Sequence, residues 1–64
     1  MSYKVGDVVL YKTFLGDIRK VRVTNKESKI KNGKPGFDGV IVGTVEDTVW
    51  GYDHQILRIE HNRS

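Results

Sequence analysis

The segment IRKVRVTN, residues 18–25, decides the fold that the sequence predicts. Its apolar residues Val21 and Val23 alternate with polar residues, a period of two that is typical of a half-buried β-strand. The polar positions include Lys20 and Arg22, so one face of this strand is apolar and the other is basic. The segment therefore predicts a sheet that covers a core with one face and presents cations on the other.

The composition of the whole chain agrees with a β-fold. The 64 residues include nine valines, five isoleucines and four threonines, all β-branched, and no alanine. Seven glycines divide the chain at short intervals, which disfavours long helices. We therefore expect a single all-β domain, near the lower size limit for a chain that folds without metals or disulfides.

The pattern along the chain predicts five short strands. We expect a short turn at residues 46–47 and a single 3₁₀ turn within residues 51–55, and whether the chain reverses at Gly51 is left open. Residues 1–60 would form the domain, and the tail 61–64 is predicted to fray. The predicted strands are residues 7–13, 18–25, 40–45, 48–50 and 56–60.

The stretch KNGKPGFDG, residues 31–39, is predicted to be a long loop between the second and third strands. Asn32-Gly33 favours a tight turn with positive φ, and Pro35-Gly36 suits the centre of a type II turn. A P-loop for nucleoside triphosphates is disfavoured, because its motif is missing and no helix is predicted to follow. Phe37 is expected either to fold back on the core, which is favoured, or to face solvent.

This arrangement of strands and turns resembles the SH3-like small barrels, including the Tudor and KOW modules. The resemblance rests on the VGDVV segment at residues 5–9, on Gly16, and on the YDHQIL segment at residues 52–57. It implies an all-β, five-stranded SH3-like barrel with one 3₁₀ turn before the last strand. Curled sheets of this kind bury a core in about 60 residues because they leave few free edges.

Two shorter stretches carry a second resemblance. GFDG at residues 36–39 and WGYD at residues 50–53 are similar to stretches in short uncharacterised proteins of bacteria and their phages. This resemblance implies a bacterial or phage setting and supplies no activity. The chain has no cysteine and no apolar segment of membrane-spanning length, so a cytoplasmic location is predicted.

Charge is distributed unevenly along the chain. Residues 1–34 hold nine Lys or Arg against three acidic residues, a net of +6, whereas residues 35–64 hold two against five, a net of −3. A basic half suggests an anionic partner such as nucleic acid, although strands with solvated lysines have the same composition. The charge pattern alone leaves these two interpretations open.

The sequence does not favour an enzyme. Asp53 and His54 are adjacent, but neighbours in a strand point to opposite faces, and no serine or cysteine nucleophile is indicated nearby. Asp53 is instead predicted to cap the 3₁₀ turn by accepting an N–H bond from Gln55 or Ile56. Neither catalytic residues, a metal site nor a cofactor is predicted, since His54 and His61 have no recognised metal-ligand spacing.

The favoured hypothesis is a non-catalytic module that binds nucleic acid. Trp50, Tyr52 and His54 would share one face if the strand continues past Gly51, and could then form a stacking platform. The alternatives are a protein-interaction or inhibitor module, or a homo-oligomeric sponge for small nucleotides. The predicted site comprises the cations Lys20, Arg22, Lys29, Lys31 and Lys34 and the aromatic residues Phe37, Trp50 and Tyr52.

Overall fold

The computed structural model describes residues 3–44 and 47–60, which form one antiparallel sheet of five strands. A 3₁₀ turn, Asp53–Gln55, precedes the last strand. The predicted fold class is confirmed as all-β, with five antiparallel strands in one sheet and one 3₁₀ turn before the last strand. The strands are β1 Val8–Lys12, β2 Ile18–Lys31, β3 Lys34–Ile41, β4 Thr48–Tyr52 and β5 Ile56–Glu60.

The strand order is β4-β3-β2-β1-β5, so the first four strands follow one another and β5 returns to pair with β1. Val9 lies opposite Val21 on β2 and opposite Ile59 on β5. This register stacks the apolar positions of neighbouring strands on one face. The buried core on that face consists of Tyr3, Val9, Tyr11, Val21, Val23, Phe37 and Ile56.

The stretch 31–39 is not a long loop. Asn32 and Gly33 form the tight turn that was predicted, with φ of 55° and 72°, but β2 continues up to that turn and β3 begins at Lys34 directly after it. Lys31 pairs with Lys34 across the turn. The predicted type II turn at Pro35-Gly36 is therefore wrong, because both residues belong to β3.

The glycines of β3 serve close packing between strands rather than turns. A Cβ atom added to Gly36 would lie 2.2 Å from the carbonyl oxygen of Gly51, and one added to Gly39 would lie 2.3 Å from Cγ1 of Val21. Glycine in a strand commonly marks such a close approach. The glycine-rich composition that suggested a loop therefore has a different physical cause.

Other predicted boundaries shift by a few residues. The fifth strand is confirmed at residues 56–60, whereas β3 ends at Ile41 and β4 runs through Gly51 to Tyr52. The chain does not reverse at Gly51, which lies in β4 opposite Phe37. The predicted strand end at residue 45, the turn residue at position 46 and the tail 61–64 lie outside the described residues.

The predicted cap by the Asp53 side chain is wrong: the Ile56 N–H donates to the backbone carbonyl of Asp53, and the side chain that holds the 3₁₀ turn is that of Gln55. The Gln55 Oε1 atom accepts the backbone N–H of Tyr52 at 2.8 Å, and its Nε2 atom donates to the Lys12 carbonyl at 2.8 Å. The Asp53 carboxylate instead accepts a hydrogen bond from the hydroxyl of Tyr3. These hydrogen bonds connect the 3₁₀ turn to Lys12 at the end of β1 and to Tyr3 in the segment that precedes β1.

Candidate nucleic-acid interface

Two lysines and four ring-bearing side chains meet where β4 and the 3₁₀ turn approach the β1–β2 and β2–β3 turns. We call this cluster the lysine–aromatic surface. Three separate stretches of chain supply its members, so only the folded sheet brings them together. Its residues are Phe14, Lys31, Lys34, Trp50, Tyr52 and His54.

The rings form a continuous series of contacts. Because β4 continues through Gly51, Trp50 and Tyr52 lie on one face, with ring centroids 5.3 Å apart and planes at 88°. His54 stacks on Tyr52 at 5.2 Å and 16°, and Phe14 lies 5.9 Å from Trp50 and 6.1 Å from Tyr52. Edge-to-face and stacked geometries of this kind are favourable for aromatic rings. The expected shared face of Trp50, Tyr52 and His54 is thus present.

The tip of the β2–β3 hairpin places both lysines over these rings. The Nζ atom of Lys31 lies 4.7 Å from the Trp50 ring centroid, and that of Lys34 lies 5.8 Å from the Tyr52 ring centroid. Within about 6 Å, such cation–π contacts are attractive. The Nδ2 atom of Asn32 donates to the Tyr52 hydroxyl at 2.9 Å. The hairpin therefore positions two ammonium groups against the rings of Trp50 and Tyr52.

Exposure differs sharply among the rings. Tyr52 is 8% exposed and lies under its neighbours, Trp50 is half-buried at the rim, and Phe14 is 70% exposed. Of the predicted aromatic contacts, Tyr52 thus forms the floor and Trp50 the rim. Phe14 was not among the predicted contact residues, although two large apolar residues in a predicted turn, Phe14 and Leu15, are a sequence signal for such a contact.

Phe37 is a correction to the predicted site. Its side chain is 0% exposed, and its ring packs edge-to-face on Tyr3 at 6.0 Å and on Tyr11 at 5.6 Å. A ring enclosed in this way cannot contact a ligand at the surface. The expectation that Phe37 folds back on the core is confirmed, and its place among the contact residues is wrong.

The predicted cations divide into two groups: one on the outer face of β2, and one at the tip of the β2–β3 hairpin. Lys20 and Arg22 are exposed on the outer face of β2, where Lys20 lies 3.3 Å from the Glu60 carboxylate. Arg22 pairs with Val40 and lines a separate cavity of about 340 Å³. Asp38 is two residues from Val40 in β3, on the same face of the sheet, and it pairs with Trp50. The Asp38 carboxylate therefore lies between Arg22 and the lysine–aromatic surface.

Lys29 is not placed over a ring within residues 3–44 and 47–60. It is exposed near the end of β2, two residues before Lys31. Only Lys31 and Lys34, among the five predicted cations, are placed over aromatic rings in the part of the chain that the structure describes.

Asp53 and His54 engage different partners. The Asp53 carboxylate accepts from the Tyr3 hydroxyl, whereas the His54 ring stacks on Tyr52. Burial raises the pKa of Tyr3 above its ordinary value, and the hydrogen bond and charge of Asp53 raise it further. Lys26 also holds Tyr3, since its Nζ atom donates to the Tyr3 carbonyl at 2.7 Å.

Comparison with known proteins found no match among family models, curated proteins or solved structures. The resemblances to Tudor and KOW modules and to bacterial and phage proteins therefore stay predictions. Within residues 3–44 and 47–60, no group of three or more His, Asp or Glu side chains is placed to hold a metal ion. No helix in the same ranges is long and apolar enough to cross a membrane.

Proposed function

We propose that this protein is a small β module that binds single-stranded nucleic acid on the lysine–aromatic surface. The observation that carries the proposal is the placement of the Lys31 and Lys34 ammonium groups over Trp50 and Tyr52, beside the exposed ring of Phe14. Cations next to stacking rings match the alternation of phosphate and base along a nucleic-acid strand.

The chemistry assigns a role to each part of the surface. Lys31 and Lys34 neutralise phosphates, while Phe14 and the rim of Trp50 offer stacking surfaces for bases. Stacking on an aromatic side chain contributes about 1–3 kcal/mol per base and is tolerant of sequence. Few groups on this surface could read base edges, so the expected preference for sequence is small.

A single strand fits this surface better than a duplex. The rings can stack only on bases that are not already stacked and paired, as in single strands, loops or ends. The basic outer face of β2 contributes less, because Glu60 partly neutralises Lys20 and Asp38 interrupts the path to Trp50. The proposal thus moves the primary contact from Lys20 and Arg22 to Lys31 and Lys34.

The test is a titration with single-stranded and duplex oligonucleotides at several salt concentrations, followed by the fluorescence of Trp50, the only tryptophan in the sequence. We expect saturable quenching by the single strand that weakens with salt. Lys31→Ala combined with Lys34→Ala should reduce the slope of log K against log salt by about 0.7 for each lysine removed.

The matched control removes the same charge from the outer face of β2, by Lys20→Ala combined with Arg22→Ala. It should retain most of the affinity. A larger loss in this control than in the variant lacking Lys31 and Lys34 would place the strand on the outer face instead. Absence of salt-dependent binding in both fluorescence and gel-shift experiments would refute nucleic-acid binding.

One observation favours the alternative of a protein partner that contacts the same aromatic residues. Phe14 is 70% exposed beside the half-buried Trp50, and aromatic anchors of this kind dominate many protein interfaces. Under this alternative, Trp50→Ala abolishes capture of the partner, whereas Lys31→Ala combined with Lys34→Ala leaves it largely intact. The two lysines therefore distinguish the two functions.

A further inference from the structure

One end of the molecule, around the β1–β2 turn, exposes an unusual amount of apolar surface. It holds four of the six large apolar side chains that are exposed among the described residues. Leu15 is 91% exposed and protrudes from the turn next to Phe14. Apolar surface gathered in one place commonly marks an interaction site. We call this region the apolar end; it comprises Phe14, Leu15, Ile18 and Leu57.

A concave feature lies directly beside this protrusion. A cavity of about 270 Å³ opens between Phe14 on the turn and Leu57 on β5. Gln55 contributes to its wall and is held by hydrogen bonds to the Tyr52 N–H and the Lys12 carbonyl, so this wall is well positioned. The lining residues are Lys12, Thr13, Phe14, His54, Gln55 and Leu57.

We infer that the apolar end is a homodimer interface, in which Leu15 of each copy enters the cavity of the other. A protrusion and a cavity that lie side by side on one surface are self-complementary. A two-fold rotation then places each protrusion over the cavity of the second copy, as in an isologous interface. A second copy is therefore the occupant that the shape of this end fits.

Charge on this end agrees with the reciprocal arrangement. Lys12 is exposed at the cavity, while Asp17 lies in the turn two residues after Leu15. The Asp17 carboxylate is 3.5 Å from Arg19, and both side chains are about half exposed, so Asp17 remains accessible. Docking of Leu15 would bring Asp17 of one copy to Lys12 of the other, twice in the dimer.

This inference goes beyond nucleic-acid binding and does not depend on it. Phe14 and His54 belong both to the cavity lining and to the lysine–aromatic surface. A dimer formed here would cover Phe14, so dimerisation and the stacking of a base on Phe14 would compete, whereas Lys31 and Lys34 do not line this cavity.

The test is sedimentation velocity of the full chain without nucleic acid, over a wide range of protein concentration. We expect a species of twice the 7.3 kDa chain mass that dissociates on dilution. Leu15→Asp and Leu57→Asp should each give a monomer, and both positions are exposed enough to keep the fold intact. Val5→Asp is the matched control, because Val5 is an exposed apolar residue outside the apolar end and its variant should remain dimeric.

Charge exchange tests the arrangement itself. Asp17→Lys should weaken the dimer by placing two cations together, and adding Lys12→Asp should restore it. A double variant as weak as Asp17→Lys alone would overturn the reciprocal arrangement.

The proposal as a whole is overturned by a protein that stays monomeric at every concentration, or by a dimer that Leu15→Asp leaves unchanged. A monomer that co-sediments with phosphatidylserine vesicles, and loses this property in Leu15→Asp, would overturn it in favour of a lipid surface.

Discussion

Phe37 shows how strongly the role of a single residue depends on its surroundings. In the sequence it lies among glycines and charged residues, and both a core position and a solvent position were open. In the fold it is fully buried, with its ring edge-to-face to Tyr3 and Tyr11. Phe14, in contrast, lies in the β1–β2 turn and is 70% exposed.

These two phenylalanines give a matched pair for a stability experiment. Phe37→Ala should lower the free energy of unfolding by about 3–5 kcal/mol, because it removes buried apolar surface and leaves a cavity. Phe14→Ala should lower it by only about 0.5–1.5 kcal/mol, because the exposed ring loses its contacts with Trp50 and Tyr52 but leaves no cavity in the core. Urea denaturation followed by circular dichroism measures both values. Similar losses in the two variants would contradict the assignment of Phe37 to the core.

At the scale of elements, the β2–β3 hairpin determines where the site lies. A stretch rich in glycine and proline is usually a loop, yet residues 34–41 form a strand because β2 and β4 flank it and supply its hydrogen-bond partners. Its glycines permit the close approach of these neighbours. As a result, the turn at Asn32-Gly33 is tight and holds Lys31 and Lys34 opposite each other.

Asn32 has two separable roles in this hairpin, positive φ in the turn and a hydrogen bond to the Tyr52 hydroxyl. Asn32→Ala removes both, and we expect it to lower the free energy of unfolding by about 1–2 kcal/mol. Asn32→Gly keeps the backbone conformation and removes only the hydrogen bond, so its loss should be smaller. Thermal denaturation of the two variants measures the difference. A Gly variant as unstable as the Ala variant would show that the turn conformation contributes little.

At the scale of the whole molecule, contacts between distant parts of the chain close the fold. The Tyr3 hydroxyl donates to Asp53, fifty residues later, and Lys26 donates to the Tyr3 carbonyl. Burial raises the pKa of Tyr3, with a further contribution from Asp53, and burial also raises the pKa of Tyr11 against the opposing effect of Arg19. The segment before β1 is thereby joined to the 3₁₀ turn that precedes β5.

These raised pKa values predict a loss of stability in alkali. A tyrosine whose pKa is higher in the folded state stabilises the fold fully below the unfolded pKa of about 10, and this contribution declines as the pH rises further. Urea denaturation at a series of pH values from about 8 to about 12 should show the decline. Tyr3→Phe should make the decline shallower, because it removes one of the two groups. An unchanged slope in this variant would contradict the role of Tyr3.

The sequence by itself determined the features that depend on neighbouring residues. The alternation in residues 18–25, the abundance of β-branched residues and the Asn32-Gly33 pair act locally, so they predicted the all-β class, the position of the fifth strand and the positive φ of the tight turn. Close packing of strands at Gly36 and Gly39 involves distant segments, so the local pattern of part of β3 predicted a loop.

Only the tertiary structure decided the composition of the candidate site. The strand order and register of the sheet bring Lys31 and Lys34 to Trp50 and Tyr52, add Phe14 from a different turn, and leave Lys20 with Glu60. These contacts join residues that are 18 to 40 positions apart in the chain, so no local pattern encodes them. The enclosure of Phe37 follows from the same register, because it requires rings from two other segments to meet it in the core.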